Sequence, residues 1–109
     1  MDDDYLEAVL DLVEQVPPGR VVTYGSVAEV LADRLGRGGP RQVGQVMSRA
    51  GGDLPWWRVV NASGRPPAHL HGEAIRRLRA EGCPVLGEGD DAHVAVRRAL
   101  WWPDDDVPG

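Results

Sequence analysis

The sequence predicts a mainly α-helical domain that carries a helix-turn-helix pair and ends in a small β hairpin or wing. Three observations lead there. Apolar residues recur at three- and four-residue spacing in several separate stretches, glycine and proline punctuate the chain between them, and the β-prone runs are short. With 109 residues, 42% of them hydrophobic and 27% charged, there is room for one compact domain over residues 1–109 and one modest core.

Tyr5, Val9, Leu12, Val13 and Val16 place an amphipathic helix over residues 4–16, with its acids outward and early, and Pro17-Pro18-Gly19 ends it. Arg20-Val21-Val22-Thr23 is a short β-prone stretch. Thr23 can cap a second helix through Val27, Val30, Leu31 and Leu35, which Gly36 stops. The Gly38-Gly39-Pro40 turn leads into a third helix over 41–48, whose buried stripe is Val43, Val46 and Met47. Two short helices joined by a glycine-rich turn make the helix-turn-helix pair.

After Gly51-Gly52 comes the apolar segment Leu54-Pro55-Trp56-Trp57-Arg58-Val59-Val60, closed by the turn-like Asn61-Ala62-Ser63-Gly64. Residues 71–81 predict a fourth helix that packs Ile75 and Leu78, exposes Arg76, Arg77 and Arg79, and is capped by Gly82. Val85-Leu86, the acidic turn at Asp90-Asp91, Val94-Ala95-Val96 and Leu100-Trp101-Trp102 are assigned to the hairpin or wing. An acidic tail occupies about 103–109.

The net charge of −5 hides a segregated distribution. Residues 1–14 hold six acids and no base, and residues 81–109 hold seven acids against Arg97 and Arg98. The middle, residues 15–80, holds ten arginines against four acids. A nucleic-acid partner is therefore compatible with the overall acidity. All twelve basic residues are arginine, which suits bidentate phosphate contacts and stacking on bases, and is equally the mark of a GC-rich genome.

No apolar run approaches the roughly 20 residues of a membrane-spanning helix, and Asp2, Asp3 and Asp4 reverse the basic start of a signal peptide. A soluble, cytoplasmic, monomeric protein without membrane association is expected. Cys83 is the one cysteine and cannot form an internal disulfide. With His69, His71 and His93 it offers no zinc-site spacing, so neither metal nor cofactor is expected. A lone cysteine is usually a small buried hydrophobe, and Cys83 is read that way.

Three ordered motifs, Gly19-Arg20-Val21-Val22-Thr23-Tyr24-Gly25, Pro40-Arg41-Gln42-Val43-Gly44-Gln45-Val46-Met47 and Pro55-Trp56-Trp57-Arg58-Val59-Val60-Asn61, carry a specific resemblance. The chain resembles the DNA-binding domain of O6-alkylguanine-DNA alkyltransferases over roughly residues 4–102. Those enzymes read Pro-Cys-His-Arg-Val where this chain has Pro55-Trp56-Trp57-Arg58-Val59, so Trp56 stands at the acceptor cysteine and Trp57 at its histidine. The first change is similar to the alkyltransferase-like proteins, typically Pro-Trp-His-Arg-Val, which bind alkylated guanine without repairing it. Trp57 departs from that pattern as well.

The resemblance implies a winged helix-turn-helix-like domain that enters the minor groove of duplex DNA and flips O6-alkylguanine into a pocket. An adduct at O6 lies in the major groove, so inspection from the minor groove requires extrusion of the nucleotide. It also implies that the bound DNA is handed to nucleotide excision repair proteins. No enzymatic activity is expected, because alkyl transfer needs a thiolate beside a base and both positions are indole.

By the same resemblance the lesion pocket comprises Trp56, Trp57, Tyr24, Arg58 and Ser63, and the DNA-binding residues are Tyr24, Arg41, Gln42, Gly44 and Gln45. The Trp56 ring packs on the extruded base, and Tyr24 crowds the neighbouring phosphate. Arg41 fills the gap in the base stack, where a planar guanidinium stacks and hydrogen-bonds at once. Gly44 costs up to about 1 kcal/mol inside a helix and lets it approach the groove closely, unless it serves a helix contact. Gln42 and Gln45 flank it outward, and Arg58 bonds loop carbonyls beneath the pocket. Glu81 looks like the glutamate that orients the family histidine, left without that partner. The alternatives are a winged-helix transcription regulator, a DNA binder without lesion specificity, a residual transferase and a protein-interaction domain.

Overall fold

The computed structural model describes residues 3–49 and 53–103. Helix α1 (Asp3–Gln15) turns Tyr5, Val9, Leu12 and Val13 inward, and Asp3 and Asp4 sit where the helix dipole favours negative charge. It stops one residue before the predicted end, leaving Val16 buried in the following turn. Strand β1 (Val22–Thr23) runs into helix α2 (Tyr24–Leu35) through a capping box. Thr23 Oγ1 accepts from the Ser26 N–H, and Ser26 Oγ accepts from the Thr23 N–H, both at 2.9 Å. Gly36, at φ 72°, closes α2 in the left-handed conformation that glycine adopts without steric cost.

Helix α3 (Pro40–Arg49) begins on its proline and buries Val43 and Val46 against α1 and α2. Met47, expected in the buried stripe, is only half-buried, because its face of the helix borders a cleft. A 3-10 turn at Trp56–Arg58 leads to β2 (Val59–Val60), parallel to β1 with Val22 opposite Val59 and Thr23 opposite Val60. A second 3-10 turn, Ala68–Leu70, opens helix α4 (His71–Ala80), which packs Ala74, Ile75 and Leu78 inward. Gly82, at φ 79°, closes it in a Schellman motif. The Cys83 N–H reaches the Leu78 carbonyl and the Gly82 N–H that of Arg79, both at 3.0 Å.

The predicted hairpin exists, with altered limits. β3 (Val85–Leu86) pairs antiparallel with β4 (His93–Val94) across the Gly89–Asp91 turn. The Ala95 N–H makes one more bond in the same register, to the Pro84 carbonyl at 2.9 Å, but Pro84 has no N–H to return it, and Val96 starts the short helix α5 (Val96–Ala99). Leu100 then bridges Val21 in parallel. Gly64 fixes the placement of the hairpin: its N–H and carbonyl face Asn61 and Val94, and any Cβ there would strike the Val94 carbonyl.

β1 and β2 lie between two apolar clusters, and the strand alternation divides their side chains. Val22 and Val59 join α1, α2, α3 and Trp101, whereas Val21 and Val60 join Ile75, Leu78, Cys83, Val94 and Ala99. The helix-turn-helix half and the hairpin half thus meet on a ribbon two strands wide. The chain reaches the cleft residues of both halves from the ends of β1 and β2. No helix among the described residues is long and apolar enough to cross a membrane. Gly51-Gly52, Asp2 and the tail from Asp104 onward lie outside the described residues.

Candidate functional site

A cleft of about 600 Å³ opens between α3 and α4. Tyr24 at the start of α2, Gly44, Met47 and Ser48 along α3, Trp56 in the 3-10 turn, and Glu73 and Arg77 on α4 line it. Pro67, His69 and Leu70 complete the wall. Three residues singled out in the sequence, Tyr24, Gly44 and Trp56, are therefore brought together from three separate motifs. Burial raises the Tyr24 phenol above its ordinary pKa, so it stands neutral as a hydrogen-bond donor. At Gly44 a Cβ would meet nothing within 4 Å, so no helix contact explains the glycine.

Trp57 stands beside the cleft and does not line it. Its ring meets Trp56 edge to face, with centroids 5.7 Å apart at 89°. Its indole N–H donates to Glu81 Oε1. Glu81 thus keeps a partner at position 57 despite the loss of histidine, because an indole N–H can donate where an imidazole N–H does. The carboxylate also accepts from Arg58 Nε at 2.9 Å and from the Gly19 N–H at 3.1 Å. Burial alone would raise the Glu81 pKa, but the bonds from Arg58, Trp57 and Gly19 outweigh it and hold the carboxyl below its ordinary range. Arg58 completes the assembly by donating from Nη1 to the Val16 carbonyl at 2.9 Å. It braces the floor beneath the Trp56 loop from the turn after α1.

The remaining candidates divide by position. Arg41 is exposed near the start of α3. Gln42 is drawn partly into structure, its Oε1 accepting the Gly39 N–H at 3.0 Å ahead of the helix. Gln42 and Gln45 border a second groove with Tyr5, Arg37 and Arg49, so α3 forms a ridge between that groove and the Trp56 cleft. Ser63 is not at the cleft. It lies in a separate shallow depression with His93 and the 94–98 segment, because the turn that holds it is tied through Asn61 Oδ1 to the Ser63 and Arg65 N–H groups. Cys83 is buried, and burial together with the Glu81 charge pushes its thiol up to about 11.

Arg77, which the sequence placed on the exposed face of the fourth helix, and Glu73, which it assigned no role, both line the cleft. Their four-residue separation on α4 was the available signal: Arg77 Nη2 donates to Glu73 Oε1 at 3.1 Å. The arginine carbon Cζ lies over Trp57, 4.5 Å from its centroid, and 5.9 Å from that of Trp56.

Fold and cleft together define a helix-turn-helix domain with an aromatic-walled cavity beside its second helix. The chain belongs to the family of 6-O-methylguanine DNA methyltransferase DNA-binding domains, whose model matches residues 4–83. It is 33% identical over 107 residues to a DNA base-flipping protein of Vibrio parahaemolyticus, covering 93% of this chain and 99% of the relative. A DNA base-flipping protein of Escherichia coli is 37% identical over 106 residues, covering 92% and 76%. Among solved structures, Schizosaccharomyces pombe Atl1 in complex with damaged DNA containing O6-carboxymethylguanine superposes with a TM-score of 0.76 at 27% identity, over 94% of this chain and 99% of that one.

Proposed function

We propose that this protein is a non-enzymatic sensor of O6-alkylguanine in duplex DNA. It enters the minor groove with α3, flips the alkylated nucleotide into the cleft walled by Trp56, and leaves the adduct in place for nucleotide excision repair proteins. The observation that carries the reading is the convergence of Tyr24, Gly44 and Trp56 on one cavity, with an indole where the transferases have their acceptor thiol. An open cavity of about 600 Å³ has room for an extruded base, and the bare backbone at Gly44 removes one obstacle to close groove approach. The relatives support it, since two are named for base flipping and the solved neighbour holds damaged DNA.

The side chains support the absence of transfer chemistry. Trp56 has no nucleophile, Trp57 donates a hydrogen bond through its N–H and has no lone pair to take a proton, and the single thiol is buried and protonated at neutral pH. The test is fluorescence anisotropy on matched duplexes containing guanine or O6-methylguanine at two salt concentrations, followed by mass spectrometry of protein and DNA. Preference for the lesion with both masses unchanged is the expected result. Equal, salt-dependent binding would instead identify a transcription regulator or a DNA binder without lesion specificity.

A further inference from the structure

Trp57 carries two guanidinium groups over its ring, Arg58 at 5.3 Å and Arg77 at 4.5 Å from the centroid. They differ in what they do next. Arg58 is consumed by Glu81 and the Val16 carbonyl beneath the floor, whereas Arg77 lines the cleft. The Trp57 ring is fixed by its N–H bond to Glu81 and by its edge-to-face contact with Trp56, so it offers Arg77 a seat of fixed orientation. Glu73 grips Nη2, and among the described residues no other acceptor engages the guanidinium. Nε and Nη1 therefore remain as donors at the wall of the cavity that Trp56 also lines.

We infer that Arg77 is a specificity-determining residue of the cleft, donating to N1 of the extruded base. The inference rests on the sensor reading above and names how that site tells lesion from guanine. In guanine N1 bears a hydrogen and donates. Alkylation at O6 fixes the imidate form of the ring and leaves N1 with a lone pair, so the same atom accepts. N1 is the one Watson–Crick edge atom whose role reverses, whatever the alkyl group. A fixed cationic donor meeting that edge gains a charge-assisted bond from the lesion and faces an opposed N–H in guanine. Trp57 acts through Arg77 as a positioning residue, which gives the second indole a role beyond filling the histidine site.

The experiment measures binding of wild type and Arg77→Met to three duplexes that differ at one position opposite cytosine: guanine, O6-methylguanine and 2-aminopurine. The last has an acceptor at N1 and no group at C6. Methionine keeps an unbranched side chain on Trp57 and removes the donors. Taking the variant-to-wild-type ratio on each duplex cancels the different cost of opening each pair. Arg77→Met is expected to lose about tenfold on O6-methylguanine and on 2-aminopurine while staying within about twofold on guanine, which also reports that it is folded. Equal loss on all three would make Arg77 a phosphate contact and overturn the inference, as would no loss on any. Loss on O6-methylguanine alone would place Arg77 on the alkyl group and overturn it too. Wild type that binds O6-methylguanine and guanine equally would sink the sensor reading together with this one. A wild type that discriminates, beside an Arg77→Met variant whose preference for O6-methylguanine over guanine is undiminished, sinks only the role of Arg77.

Discussion

The Trp57 indole donates to Oε1 of Glu81, the carboxylate that Arg58 grips through Nε at 2.9 Å. One carboxylate therefore ties the floor of the Trp56 cleft to Gly19 in the turn after α1 and to the end of α4. Both members of the Arg58–Glu81 pair are 14% exposed, so neither charge can be met by water alone if the other is removed.

That arrangement sets a pH dependence. The folded-state pKa of Glu81 lies below its ordinary value of 4.5, so its contribution to stability is fully present above that value and is lost as pH falls through the folded pKa. Glu81→Gln removes the titrating group and leaves Arg58 without its counter-ion. Thermal unfolding at pH 7 is expected to show a loss of about 3 kcal/mol, with a shallower fall in Tm below pH 4.5 than in the wild type. Parallel pH profiles would mean that other carboxylates govern the acid limb.

The same bond decides what a restored thiol could achieve. Trp56→Cys puts sulfur at the acceptor position, but position 57 still offers a neutral N–H that is committed to Glu81 and has no lone pair to take the thiol proton. Incubation with DNA carrying a labelled O6-methyl group is expected to leave the variant unlabelled. Stoichiometric label on the introduced cysteine would show that a base elsewhere in the cleft suffices. Cys83 is expected to stay unmodified in both proteins, since its thiol titrates only at about 11.

Much of this was legible in the sequence, for physical reasons that differ by element. The four main helices are visible because each buries a stripe of the 3.6-residue period and carries its own start or stop signals: Pro17-Pro18-Gly19 after α1, Thr23 and Gly36 around α2, Pro40 as the first residue of α3, Gly82 after α4. Convergence of Tyr24, Gly44 and Trp56 was legible only through the order of the three motifs. The end of β4 was not, because Val94-Ala95-Val96 is apolar throughout and carries no alternation; pairing stops where Ala95 meets Pro84, which has no N–H to return the Ala95 bond, and α5 begins at Val96. Ser63 was misplaced relative to the cleft because the Asn61 turn directs it to the hairpin side. Arg77 faced the cleft unnoticed, since an arginine between two other exposed arginines has no mark of its own until Trp57 is placed beneath it.

Arg41 and Arg34 make a matched comparison. Both are exposed, but Arg41 stands at the start of α3, the helix that lines the cleft, and Arg34 lies in the last turn of α2. If Arg41 fills the gap left by the flipped nucleotide, Arg41→Ala should weaken binding to an O6-methylguanine duplex by about tenfold, and Arg34→Ala by about twofold. Anisotropy titrations in the same buffer give both numbers. Equal losses would reduce Arg41 to a contributor to the general arginine-rich field.

Gly44 allows stability and function to be set against each other. An added methyl meets no atom within 4 Å in the protein alone, and alanine favours a helix interior over glycine by up to about 1 kcal/mol. Gly44→Ala should therefore raise the unfolding temperature. The same methyl stands on the cleft side of α3, where a groove wall must pass close to the backbone. DNA affinity is expected to fall severalfold on lesion and undamaged duplexes together, since the obstruction precedes any reading of the base. A variant that is both more stable and equally tight in DNA binding would remove the close-approach role, and with it the argument that α3 meets DNA along the Gly44 face.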